Sequence, residues 1–237
     1  MTGMARLVED IDWSACFTSQ KGTFPMPQKT ASPFNGLIPE QDPAGLKEIF
    51  ELVASGLYSL ASMLVGEGED SARLVVEAIA SAQVSPCADP QQARWCSRRA
   101  LAVAALKLLA GRCPGCLDAP QGLAPASTCI EGDDLASAGI STGELESMMS
   151  GADREQMREW LASLPTWMRT VFALRAVAGF NAAETAALLR LHGGGQAAAW
   201  TPEAVSEVFR QGLCSLASQV LRSREQGVGN RENYKRL

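Results

Sequence analysis

Two linked segments decide the fold: Leu164-Pro165-Thr166-Trp167-Met168-Arg169-Thr170-Val171-Phe172-Ala173-Leu174-Arg175, then Gly179-Phe180-Asn181-Ala182-Ala183-Glu184-Thr185-Ala186-Ala187-Leu188-Leu189. Pro165 suits the first turn of a helix, where its missing N–H costs nothing, and that helix should run through Val177. Gly179 ends it. Asn181 with Glu184 three residues later is a capping box, so a second helix opens there and reaches about Leu191. Val171, Leu174 and Val177 can then pack against Ala183, Ala186, Ala187 and Leu188. The alanines would let the two helices approach closely.

Downstream, Gly193, Gly194 and Gly195 interrupt the pattern, and Thr201-Pro202 starts a last helix to about Arg222. Val205, Val208, Phe209, Leu213, Leu216 and Val220 form its core face. Upstream, Met157, Trp160, Leu161 and Leu164 make one helical stripe from about Asp153, and Ser141-Thr142-Gly143-Glu144 predicts a short capped helix to about Met149. Residues 111–140 are rich in Gly, Pro, Ser and Ala and lack an apolar period, which reads as a linker. Before it stands another helical block. Leu46, Ile49, Phe50, Val53, Leu57, Leu60, Ala61 and Leu64 recur at helical steps. Asp70 or Ser71 can cap a second helix carrying Leu74, Val75, Ala78, Ile79 and Ala82, and a third spans about Gln91 to Ala110. Pro25, Pro27, Pro33, Pro39 and Pro43 break up the stretch 1–43, an extension expected to be mobile.

The predicted fold is therefore all-α: helical modules at 44–110 and 153–223, joined by a flexible linker over 111–152, with a polar tail at 224–237. Composition agrees. Ala and Leu dominate an apolar fraction of 46%, and aromatic residues at 6% are too few for a sheet-rich core. The net charge of −5 weighs against an avid nonspecific nucleic-acid binder and leaves room for a local basic patch. No apolar run is long enough to span a bilayer, and the start lacks a signal-peptide pattern, so a cytoplasmic location with no membrane partner is expected.

Helix, tight turn, helix, loop, long helix is the order a helix-turn-helix DNA reader requires. The Leu164–Arg175 and Gly179–Leu189 segments resemble region 4 of bacterial sigma factors. Spacing, the Leu-Pro start, the Arg, the Gly turn and the Glu-x-Ala pair coincide. Leu57-Tyr58-Ser59-Leu60-Ala61-Ser62-Met63-Leu64 through Ala72-Arg73-Leu74-Val75-Val76-Glu77-Ala78-Ile79 looks like region 2 of the small, extracytoplasmic-function type. Arg94-Trp95 and Arg98-Arg99 sit where that family continues into its promoter-melting helix. The resemblance covers roughly 44–110 and 153–223. It implies a sigma-like initiation factor whose partners are core RNA polymerase, promoter DNA and an anti-sigma factor. Leu74 and Glu77 would dock on the polymerase. Arg94, Trp95, Arg98 and Arg99 would hold the opening strand, and Thr201, Ser206 and Arg210 would meet the upstream element.

The chain departs from the family in three places. Arg73 and Val76 stand where an acidic residue and a glutamine are usual, Ala102 replaces an Asn, and His192–Trp200 lengthens the turn. Glu203 and Glu207 would also face phosphates on the last helix, an unfavourable contact. These features keep open a second reading, a sigma-derived interaction module that no longer reads DNA.

Cys113-Pro114-Gly115-Cys116 has the spacing of a zinc knuckle or redox couple, but the other candidate ligands, Cys87, Cys96, Cys129 and His192, are irregularly placed. No metal or cofactor is expected. Seven cysteines at irregular spacing make a poor disulfide framework. His192 should cap a helix end. Trp160 and Trp167 are expected in the core. Gly193-Gly194-Gly195 lacks the Lys-Ser/Thr of a phosphate loop, and no nucleophile motif is present, so no enzyme is expected.

Overall fold

A computed structural model describes residues 54, 56–82, 90–120, 129–195 and 197–234, with side chains to residue 220 apart from Pro90 and Ala198. The extension 1–43 and the predicted helical positions Leu46, Ile49, Phe50 and Val53 lie outside the described residues. Every regular element among the described residues is helical. They are α1 (56–65), α2 (Glu69–Ser81), α3 (Pro90–Arg112), α4 (Thr142–Ser150), α5 (Arg154–Ser163), α6 (Thr166–Phe172), α7 (Ala182–His192) and α8 (Pro202–Tyr234). No described helix is long and apolar enough to cross a membrane.

Side-chain capping sets two of the helix starts outright. Ser141 and Asn181 each accept the N–H of the Glu three residues on, and that Glu accepts the cap residue's own N–H. Both capping boxes lie where the sequence predicts them. Gly68 rather than Asp70 or Ser71 is the N-cap of α2, and the Ser71 hydroxyl instead turns inward onto the Gly66 carbonyl. The helix after Pro165 ends in a π turn, Ala173–Val177, closed by Ala178 N–H to Ala173 O at 3.0 Å and Phe180 N–H to Leu174 O at 3.1 Å. Gly179 follows at φ 77°, a conformation that favours glycine. The backbone of α8 continues past Arg222, through Gly227 and Gly229, to Tyr234. Isolated glycines weaken a helix by only ~1 kcal/mol each, so they did not end this one.

One buried cluster joins both helical blocks, from Leu57 on α1 to Leu216 on α8. Helix α2 packs along α3, α3 touches α7, and α6 and α7 both pack on α8. At the centre of the second block Phe172 meets Trp160 edge-on at 5.0 Å and Phe209 at 5.8 Å. Trp160 is buried, as expected, with its indole N–H on Ser215 Oγ at 3.0 Å, whereas Trp167 is half-buried against the core.

The described part of 111–152 is not a flexible tether. Leu117, Ile130, Ile140 and Leu145 are all buried in the common core. These four apolar side chains anchor the segment to the core, each contributing roughly 1.5–3 kcal/mol on burial. Between α3 and α4 its described residues lack helical periodicity because they pack as turns, with a short 3-10 turn at Ala136–Ala138.

Candidate functional site

The sequence-predicted residues fall into three places, and the structure treats each differently. On α2, Leu74 is 2% exposed and belongs to the core, whereas Glu77 is exposed. Leu74 therefore cannot be a docking contact. Helical spacing already puts Leu74, Val75 and Ala78 on one side, and the outer side carries Arg73, Val76 and Glu77. The two residues that depart from the sigma pattern are thus surface residues, and Arg73 is paired with Asp70 at 2.7 Å. The second departure, Ala102, is fully buried in α3.

On α3, Arg94, Trp95 and Arg99 are exposed and Arg98 is half-buried. The Arg99 guanidinium lies 5.3 Å from the Trp95 ring centroid, a cation–π pair on open surface. Trp95 is therefore not a core residue. Arg98 points inward and donates to the Ala178 carbonyl at 3.4 Å, so it braces the turn between α6 and α7. Burial, with Arg94 alongside, lowers its proton affinity. This helix thus ties the first block to the second by a side chain the sequence assigned to DNA.

Arg94 and Arg98 also line a groove of about 1440 Å³ whose walls include α5 and α6. Six arginines (94, 98, 154, 158, 169, 175) and six carboxylates (Glu67, Asp133, Asp134, Glu146, Glu155, Glu159) line it. With the signs balanced, the groove has no net charge to draw in a polyanion.

The third place is the start of α8. Thr201 is an exposed N-cap whose Oγ1 accepts the Ala204 N–H at 3.2 Å. Local backbone and Thr201 hydrogen bonds also hold the Glu203 carboxyl below its ordinary range. Further along, α8 is covered by a strap, residues 129–135. Ser206 Oγ donates to Asp133 Oδ2 at 2.6 Å. Arg210 donates to Glu207 at 2.5 Å and to the Glu131 carbonyl at 3.4 Å. Arg175, on the π turn, donates to both the Asp133 carbonyl (2.6 Å) and Oδ2 (3.1 Å), with its guanidinium over the Phe209 ring. The side chain of Glu207 is only 13% exposed and that of Arg210 33%. The side of α8 expected to read bases is therefore engaged by the chain's own strap.

Sequence reasoning missed the anchor of the lengthened turn. Trp200 is fully buried and its indole N–H donates to the Leu117 carbonyl at 2.7 Å. Arg190 donates to the Trp200 carbonyl at 2.9 Å. The glycines of 193–195 thus lead into a pinned loop rather than a loose one. A lone tryptophan after a Gly-rich stretch was the available signal. In the seam between α6 and α7, Ala186 and Leu188 are buried as predicted, but Ala183 faces out. His192 ends α7, but burial, Lys107 and Arg99 push its imidazole below the usual value. That lowered proton affinity weakens it as the cation expected at a helix C-terminus. Cys113 and Cys116 are disulfide-bonded in the turn after α3. Among the described residues no group of three or more His, Cys, Asp or Glu converges as a metal site.

Comparison of the chain with protein-family models, with curated proteins and with solved structures found no match.

Proposed function

We propose that this chain is a sigma-like transcription initiation factor that binds core RNA polymerase and promoter DNA, held here with its DNA-reading face closed. One observation carries the reading. The stretch that resembles sigma region 4 folds as α6, a glycine turn and a capped α7, both packed on α8. Two short helices held on a longer third is the framework a helix-turn-helix reader needs. In this reading 44–110 is the region 2-like module, 153–223 the region 4-like module, and 111–152 the connection that also supplies the strap. Exposed Arg94, Trp95 and Arg99 would hold and stack the opening strand. Arg98 would act through the turn it braces. Glu77, with Arg73 and Val76, would face the polymerase, and Thr201, Ser206 and Arg210 would meet the upstream element once the strap lifts.

A second reading is favoured by the strap itself. If Ser206, Glu207 and Arg210 stay engaged, α8 is a closed surface, and the chain is a sigma-derived module that binds polymerase, an anti-sigma factor or itself without reading DNA. Retention of labelled promoter fragments by the full chain, with and without core RNA polymerase, separates the two. The first reading expects specific retention only with core polymerase present, weakened by about 1–3 kcal/mol in Arg210→Ala if that residue reads a base pair. Polymerase capture without promoter retention would establish the second. Failure to capture polymerase under any condition would overturn the first.

A further inference from the structure

We infer that Cys129 and Cys214 are a reversible disulfide site that locks the 129–135 strap across α8. Both thiols are free, Cys129 exposed at the start of the strap and Cys214 half-buried on α8. The two thiols lie close enough to interact electrostatically, and Cys214 also faces the backbone of Ile130.

The pairing belongs to a register. The Glu131 carbonyl meets Arg210 and the Asp133 carboxylate meets Ser206, and two residues back along the strap the same step brings Cys129 beside Cys214. The chain thus descends α8 one helical turn for every two residues. Two residues reach at most about 7 Å, and four residues of helix rise about 6 Å, so the register closes without stretching. Its lower end is held by the Asp133–Arg175 ion pair, while its upper end carries two free thiols that can be joined covalently.

The chemistry needs a two-electron oxidant, and a peroxide suffices. Burial pushes the Cys214 thiol up to about 11, so exposed Cys129 takes the first step. Its thiolate attacks one peroxide oxygen, the O–O bond breaks, and a sulfenic acid forms at Cys129 as water leaves. Cys214 sulfur then attacks the Cys129 sulfur. The S–S bond forms, the S–O bond breaks, and the Cys214 proton departs with the hydroxyl as a second water. Two thiols lose two electrons and one peroxide gains two. A thiol reductant reverses the bond by exchange. If α8 reads DNA, a consequence that rests on the function proposed above, the oxidised chain would be held in its closed state.

The test uses the full chain treated with hydrogen peroxide. Non-reducing digestion and mass spectrometry should give a peptide pair joined through Cys129 and Cys214. Amide exchange across 130–135 should slow by about tenfold or more and recover with dithiothreitol. Cys129→Ser, a change at an exposed position, should abolish both effects. Oxidation of Cys129 to a sulfinic acid, its pairing with any other cysteine, or a Cys129–Cys214 link that leaves exchange unchanged would each overturn the inference. None of these readouts involves DNA, so failure here is distinct from failure of the proposed function.

Discussion

Replacing Asp133 by alanine should release the strap. The Asp133 carboxylate accepts from Ser206 at 2.6 Å and from Arg175 at 3.1 Å, and Arg175 is only 13% exposed against 41% for Asp133. A hydrogen bond to a charged group contributes about 1.5–3 kcal/mol in protected surroundings. The half-open carboxylate is partly screened, which moves the pair toward the weaker range of surface ion pairs. Arg175 also keeps two carbonyl acceptors, Asp133 O and Phe180 O, after the substitution. A loss of about 1–2 kcal/mol follows, concentrated in the strap. If strap opening is local, amide exchange of Ser137, Ala138 and Ile140, and of the strap before them, should accelerate roughly 5- to 30-fold. The core amides of α3 and α6 should not change. Exchange measured by mass spectrometry or NMR at neutral pH reads this directly. Unchanged exchange over 130–140 would refute the view that Asp133 clamps the strap. Equal acceleration throughout the chain would refute its local character.

Other outcomes follow from the same geometry. Trp200→Ala should cost about 3–5 kcal/mol, lowering Tm by roughly 6–20 °C in a chain of this size, because it empties a fully buried site and orphans the Leu117 carbonyl; a calorimetric shift near zero would contradict the pinned turn. Leu74→Ala should cost about 2–5 kcal/mol in denaturant unfolding, whereas Glu77→Ala should stay within about 0.5 kcal/mol, so that only the second can serve as a clean probe of polymerase binding. His192 has its folded pKa lowered, so the unfolded chain binds more protons: its contribution is intact above the unfolded value near ~6.5, declines as pH falls through it, and levels off below the folded value. His192→Gln should erase that window in a pH series of Tm measurements, and the imidazole should titrate below ~6.5 by NMR.

The helices were legible because their signals are local. A capping box spans three residues, a helix-ending glycine is a single position, and the apolar stripes of α5 and α8 repeat within one or two turns. Ser141, Asn181 and Gly179 act through neighbours a few residues away, so sequence spacing alone locates them. The same spacing already puts Leu74 with Val75 and Ala78 on the apolar side of α2 and Glu77 on the outer side.

What tertiary structure alone decided is which polar groups are already spent. Arg98 meets Ala178, Ser206 meets Asp133, and Trp200 meets Leu117 across separations of 80, 73 and 83 residues, distances over which no periodicity carries information. The amino-acid order thus determined that this chain is helical and where most helices begin, since those choices rest on backbone hydrogen bonds within a turn. Whether the outer side of α8 stands open or lies under residues 129–135 depends on a segment without any repeating pattern. That segment is placed by burial of Ile130 and by the charge of Arg175, and both exist only once the helices have met.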